Sequence, residues 1–209
     1  HNVARALKNS FATTLLQTFA ALAVSSIAGY GFEIYHDKAK DTVMAILMLA
    51  MMVPFVAVLV PLFQMFTKAK LINSWTGFIL PSIATPFLIM YFRNSARSFP
   101  RDTLEAARID GLNEFQIFIR MFIPMMKPTY ASAATITFMG AWNAYLWPKV
   151  VMQTNEAITM PMLVANTMGG YVIDYGVVMA AVTICSLPTV IIFFCLQKSF
   201  TNAVAGAVK

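Results

Sequence analysis

The sequence predicts an all-α fold, a polytopic membrane bundle of about five spans. Three observations carry that expectation. Of 209 residues, 59% are hydrophobic and only 11% are charged, with a mean hydropathy of +0.69, whereas soluble domains carry roughly 25% charged residues. Five apolar segments are long enough to cross a bilayer, for which a helix needs about 20 residues. The apolar cores of those segments hold no Asp, Glu, Lys or Arg, with Lys127 at the edge of the fourth.

In chain order the spans fall near Phe11–Phe32, Val43–Phe66, Trp75–Phe92, Phe122–Trp147 and Gly176–Gln197. The second holds Pro54 and Pro61, the short third Pro81 and Pro86, and the fifth Pro188. Membrane helices tolerate proline where neighbours satisfy the freed carbonyls, and they kink there. Met44, Met48, Met51 and Met52 recur at helical spacing and read as a flexible packing face. In the fourth span Ala133, Thr137, Gly140, Ala141 and Ala144 form a stripe of small residues. Such a stripe lets a helix approach another closely, in this chain or in a partner. Cys185 and Cys195 lie on one predicted helix, roughly 15 Å apart and too far to bridge. They read as packing residues, and His1 and His36 stand alone, so no metal site is predicted. No cleavable signal peptide is visible at His1-Asn2-Val3, and the chain reads as part of a longer one.

The net charge of +6 does not point to nucleic acid, because the basic residues sit at span ends. Connections carry excess Lys and Arg on the cytoplasmic side. With the segment around Pro100 inside, the inner side holds Lys38, Lys40, Arg93, Arg97, Arg101, Arg108, Arg120, Lys127, Lys198 and Lys209. The outer side then holds Arg5, Lys8, Lys68, Lys70 and Lys149, and the majority orients the chain. The charge-free cores lack the carboxylate or histidine relays of proton-coupled carriers. The chain also lacks a glycine-rich phosphate loop with which to hydrolyse nucleotide itself.

Residues 100–128, PRDTLEAARIDGLNEFQIFIRMFIPMMKP, form a charged island. Pro100 suits the first turn of a short helix and Gly111 the residue just past its end. Asn113 reads as a new N-cap, with Gln116 in the capping-box position. The predicted shape is helix, glycine elbow and second helix, with Pro124 where that helix meets the next apolar run.

Glu105-Ala106-Ala107, three residues, Gly111, nine residues and Met121-Phe122-Ile123-Pro124 resemble the EAA motif of permease subunits of ABC importers. The glutamate, both alanines, the glycine and the proline match in type and spacing, while Met121 and Ile123 exchange one apolar residue for another. AWNAYLWP (Ala141 to Pro148), Thr159-Met160-Pro161 and the ending Gly206-Ala207-Val208-Lys209 resemble the carbohydrate-uptake branch, that of maltose-transporter-like inner-membrane components. The resemblance covers nearly the whole chain. It implies a MetI-like architecture over residues 1–209 as a single transmembrane domain, with six spans in the full-length subunit and one of them upstream. It also implies a prokaryotic inner-membrane location, a coupling loop at about 93–128 and an outer loop at about 150–175.

By that resemblance Glu105, Ala106, Ala107, Asp110, Gly111 and Pro124 would engage a cytoplasmic ATPase. The chain itself would be no enzyme and would bind no cofactor, because ATP and Mg would lie on that partner. Ala106 and Ala107 would permit close approach and Glu105 would supply a charge. A second permease subunit, in a heterodimer or a homodimer, an extracytoplasmic sugar-binding protein and membrane lipid complete the implied partners. Trp142, Asn143 and Tyr145 join aromatic faces to an amide, the mix expected of a small-molecule site, and the resemblance makes them candidates for a sugar pathway. Trp147 beside them fits an aromatic belt at the outer interface. The stretch from Val150 to Tyr175, with Gly169-Gly170, could receive a binding protein, dip back into the membrane around Met160 to Val164, or simply connect two spans. An importer for an amino acid or peptide, a secondary carrier and an intramembrane enzyme are the rival readings. The last would need a metal motif or nucleophile pair that the spans do not show.

Overall fold

Helix α1 runs unbroken from Val3 to Ile34 in the computed structural model, which describes residues 3–169 and 174–206. Gly170 and the three residues after Gly206 lie outside them, so the expectations placed on the Gly-Ala-Val-Lys ending and on Lys209 do too. Among the described residues every element is a helix. α1 is polar inward and apolar outward: Asn9, Ser10, Thr13, Thr14, Gln17 and Thr18 are buried, while Phe11, Leu15, Leu16 and Phe19 are exposed. That inversion suits a helix whose solvent is lipid, where polar side chains turn to protein partners.

The second predicted span is two helices, α2 (Lys38–Ala50) and α3 (Phe55–Lys68), bent by 101° at the break. Pro54 is the N-cap of α3, and proline disfavours helical backbone in the residue before it. The third span also breaks, by 51°, between the helical stretch Trp75–Ser82, which begins with α4 (Trp75–Ile79), and α5 (Pro86–Ala96). Pro86 opens α5 at its first position, where the missing N–H costs nothing. Pro61 and Pro188 behave differently and stay inside continuous helices.

The chain continues through α6 (Arg101–Ile109), α7 (Glu114–Ile117), a π-helical turn at Phe118–Phe122 and α8 (Ile123–Met125). Then come α9 (Lys127–Trp142), α10 (Leu146–Val151), α11 (Met160–Met168) and α12 (Tyr175–Gly206). Among the described residues two helices are long and apolar enough to cross a membrane alone, Val3–Ile34 and Tyr175–Cys195, and up to four spans result if each bent pair counts as one. The fourth predicted span, Phe122–Trp147, is shorter than expected, because α9 has 16 residues and the chain leaves the helix after Trp142.

The residues divide into two units. One holds the chain up to Ala20, Val53–Ile83 and Thr135–Cys195; the other holds Ala21–Met52, Ala84–Ala134 and the chain from Leu196. The first is centred on Phe66, Phe78, Trp147, Val151, Met152 and Met162. Trp147 is therefore a core residue and not part of an interfacial belt: its Nε1 donates to the Gly77 carbonyl at 3.0 Å, and its ring meets Phe66 edge-on. The second unit packs Tyr30, Phe99, Leu104, Ala107, Ile117, Phe118 and Phe122 together. Of the methionine stripe only Met44 is buried, and Met51 and Met52 are exposed. In the small-residue stripe Ala133 and Ala141 are buried, while Gly140 faces open space.

Candidate functional site

The elbow is built from backbone hydrogen bonds and two end caps. Pro100 stands one residue before α6, as its N-cap, rather than inside the first turn. Asp102 in the first turn and Arg108 in the last complement the helix dipole. At the far end Gly111 N–H bonds Arg108 O at 3.1 Å and Leu112 N–H bonds Ala107 O at 3.0 Å. This is a Schellman ending, and it needs a left-handed residue at Gly111, whose φ is +80°. Asn113 then caps α7 in both directions: its Oδ1 accepts from Gln116 N–H at 2.9 Å, and its own N–H donates to Gln116 Oε1 at 3.0 Å. No loose residue separates the two helices.

Side chains tie the corner further. Arg108 Nε donates to Glu114 Oε1 at 2.8 Å, and the Tyr30 hydroxyl donates to Glu114 Oε2 at 3.4 Å. Partial burial pushes the Glu114 carboxyl upward, but hydrogen bonds from Arg108 and Tyr35 outweigh it and hold the group below its ordinary range. Past α7 the helix widens, with Ile123 N–H bonding Phe118 O five residues back. Pro124 follows, and the helix is interrupted at Met126 before α9 begins.

Of the six residues assigned to coupling, Glu105, Ala106, Asp110, Gly111 and Pro124 are exposed. Ala107 is buried at 2% in its own unit's core, where it holds α6 down. Two residues not singled out from the sequence stand beside the elbow, Ile109 at 86% and Phe115 at 71% exposure. A signal for Ile109 was present: two residues beyond the inward-facing Ala107, it lies about 200° round the helix.

The second candidate region is a cavity of ≈ 320 Å³ where α9 gives way to α10. Asn143 and Tyr145 line it together with Pro161, Val164, Ala165 and Met168 of α11 and Val182, Cys185 and Ser186 of α12. Asn143 Nδ2 donates to Met139 O one turn back at 2.9 Å, leaving the carboxamide oxygen as the available acceptor. Trp142 is not among the lining residues. It is 1% exposed, stacks on Phe138 at 5.9 Å, meets Phe11 edge-on at 4.9 Å, and donates from Nε1 to Cys185 O at 2.8 Å. It backs the α12 wall of the cavity instead of facing into it.

The α11 wall is fixed by residues distant in sequence. Asn9 Nδ2 donates to the carbonyls of Glu156 and Ile158 at 2.7 and 3.1 Å, and Ser10 Oγ accepts from Met160 N–H at 2.7 Å. Thr159, the N-cap of α11, makes no side-chain cap bond, so Ser10 supplies one from α1. On the other side Lys149 Nζ donates to Asn166 Oδ1 at 3.1 Å.

Comparison with known proteins gives consistent results. Residues 21–206 match the family described as binding-protein-dependent transport system inner membrane component. The chain is 41% identical over 201 residues to a lactose transport system permease protein of Rhizobium radiobacter, covering 96% of this chain and 74% of that one. It is 35% identical over 202 residues to an arabinooligosaccharides transport system permease protein of Bacillus subtilis (strain 168), covering 96% and 72%. Among solved structures, a bacterial ABC transporter involved in the import of alginate superposes with a TM-score of 0.83 at 21% identity, over 93% of this chain and 74% of that one. The MetNI methionine ABC transporter in inward-facing form gives 0.67 at 20% identity, over 97% and 95%.

Proposed function

The chain belongs to the family of binding-protein-dependent transport system inner membrane components, and from that premise we propose that it is the sugar-path subunit of an ABC importer. The observation that carries the sugar is the 41% identity, over nearly the whole chain, to a lactose permease. A relative in Thermoanaerobacterium thermosulfurigenes that is named a probable starch degradation products transport system permease protein, 28% identical over 215 residues, points the same way.

The energy comes from a separate cytoplasmic ATPase that carries ATP and Mg. A second permease subunit, in a heterodimer, completes the path, and an extracytoplasmic binding protein delivers the sugar. The elbow is the part that the ATPase moves. Its rigidity supports this role: the Schellman ending, the capping box and the Arg108–Glu114 pair leave no soft link to absorb a displacement. Glu105, Ala106 and Asp110 lie on its open face, while Ala107 passes the load to the core beneath. On the pathway side, Asn143 and Tyr145 meet the sugar at the cavity, and Trp142 holds the wall behind them.

The test is reconstitution of the full transporter in proteoliposomes, with a panel of radiolabelled sugars headed by lactose and including an amino acid and a peptide. Uptake of a sugar that requires both ATP and the binding protein is the expected result. Uptake of the amino acid or peptide alone, or uptake without ATP, overturns the reading. In the same system Gly111→Val places a β-branched residue at φ +80°, a conformation it adopts only under strain, and is expected to lower uptake per ATP hydrolysed.

A further inference from the structure

Arg93 is a buried cation that neither the motif nor the cavity uses. It lies in α5 at 5% exposure, among helices and not in a connection. Its Nη2 donates to Asp41 Oδ1 at 2.5 Å and its Nε to Glu33 Oε2 at 3.3 Å. Glu33 closes α1 and Asp41 opens α2, so one guanidinium fork joins three helices. Both carboxylates have a second partner: Arg97 Nε reaches Glu33 Oε2 at 3.4 Å, and His36 Nε2 meets Asp41 Oδ2 at 2.9 Å.

One turn before Glu33, Gly29 lets α1 touch the backbone of α5. A Cβ there would lie 2.6 Å from Phe92 Cβ, 2.7 Å from Arg93 N and 2.9 Å from Ile89 O. The crossing is therefore fixed twice, by backbone contact at Gly29 and by the charges at Arg93. The far end of α5 is equally firm, since Ala96 and the following Phe99 share a core with Leu104 and Ala107 of α6.

We propose that Arg93 is a positioning residue for transport, the joint that makes α1, α2 and α5 move as one body when the elbow is displaced. The proposal rests on the reading of α6 as the part moved by the ATPase. A lysine substitutes only in part, because a single ammonium keeps the charge but lacks the fork that spans two carboxylates. A structural role alone would affect how much transporter assembles. A joint affects what each assembled transporter does with its ATP.

The experiment uses the complete transporter and the labelled sugar retained in the screen above. Arg93→Met is expected to lower uptake per ATP hydrolysed about tenfold, normalised to assembled complex, with Arg93→Lys in between. Spin labels at Thr42→Cys in α2 and Asp102→Cys in α6, with the free Cys185 and Cys195 replaced by Ser, add a readout that needs no sugar. Their distance distribution is expected to be the same with and without ATP–vanadate in the otherwise wild-type protein, and to change between those states once Arg93 is Met. Should Arg93→Met fail to assemble, Glu33→Gln and Asp41→Asn are measured in the same way and are expected to lower the ratio. An unchanged ratio in the assembled variants, with losses that follow only the amount of complex, overturns the joint. So does a label distance that already shifts with nucleotide in the wild type. Gly111→Val separates the two levels: if it lowers the ratio and the Arg93 variants do not, the joint alone fails. If Gly111→Val also leaves the ratio unchanged, the coupling reading fails and the joint with it.

Discussion

Trp142 donates its indole hydrogen to the carbonyl of Cys185, three residues before Pro188. Proline has no N–H for the carbonyl four residues back, here that of Ile184, so α12 has a weakened turn where the indole binds. Trp142→Phe keeps an aromatic ring on Phe138 but removes the donor and part of a fully buried side chain, so at least about 1–2 kcal/mol of stability is expected to go with it, from the lost bond and the space left behind. Thermal melting of the detergent-solubilised transporter measures the loss, and a melt identical to wild type would leave the indole bond without a role. Asn143→Ala is the contrasting case. Its side chain is exposed at the cavity, so assembly is expected to stay normal while sugar uptake falls. Normal uptake by that variant would remove Asn143 from the pathway. The two neighbours differ for a reason the sequence does not contain: Phe11, which packs against Trp142 and not Asn143, comes from the opposite end of the chain.

The elbow was legible because its signals are local. Gly111, Asn113 and Gln116 act on backbone within five residues, and each sits where the residue types alone place it. Asn113→Ala is expected to cost about 1 kcal/mol of local stability through the lost cap, read as faster amide exchange at Gln116. The Arg108–Glu114 pair adds a pH dependence. Glu114 titrates below its ordinary value of 4.5 in the folded protein. Its contribution is therefore present above that value and is lost as pH falls through the lower, folded one. Both side chains are about two-fifths exposed, at 42% and 40%, so solvent screening keeps the effect small. Exchange at Leu112, corrected for its intrinsic rate, is expected to quicken on acidification below the carboxylate range, and Glu114→Gln is expected to abolish that dependence. The helix breaks were harder to place. Pro54 and Pro86 stand where helices begin, while Pro61 and Pro188 lie inside continuous ones, and what neighbouring helices do with the freed carbonyls decides between them.

Each unit is assembled from segments that the sequence separates widely, and what was not legible lies in those joins. Ser10 caps α11 and Arg93 gathers Glu33 and Asp41, yet nothing in the spacing of these residues announces either contact. The same joins bear on orientation. Arg93 is paired and buried, so it no longer counts as a cation in a connection. Its removal still leaves the inner majority intact, because Lys38, Lys40, Arg97, Arg101, Arg108, Arg120 and Lys127 remain against Arg5, Lys8, Lys68, Lys70 and Lys149. The balance would tip only if the elbow itself lay outside, since Arg101, Arg108 and Arg120 belong to it. A reporter active only in the cytoplasm, fused after Gly111, is expected to be active, and one fused after Lys70 silent. The opposite pattern would put Glu105 and its neighbours on the side where no ATPase exists, and the coupling proposal could not stand. With the expected pattern, the exposed Ile109 and Phe115 face the cytoplasm, where a protein partner can cover apolar side chains that stand outside the lipid.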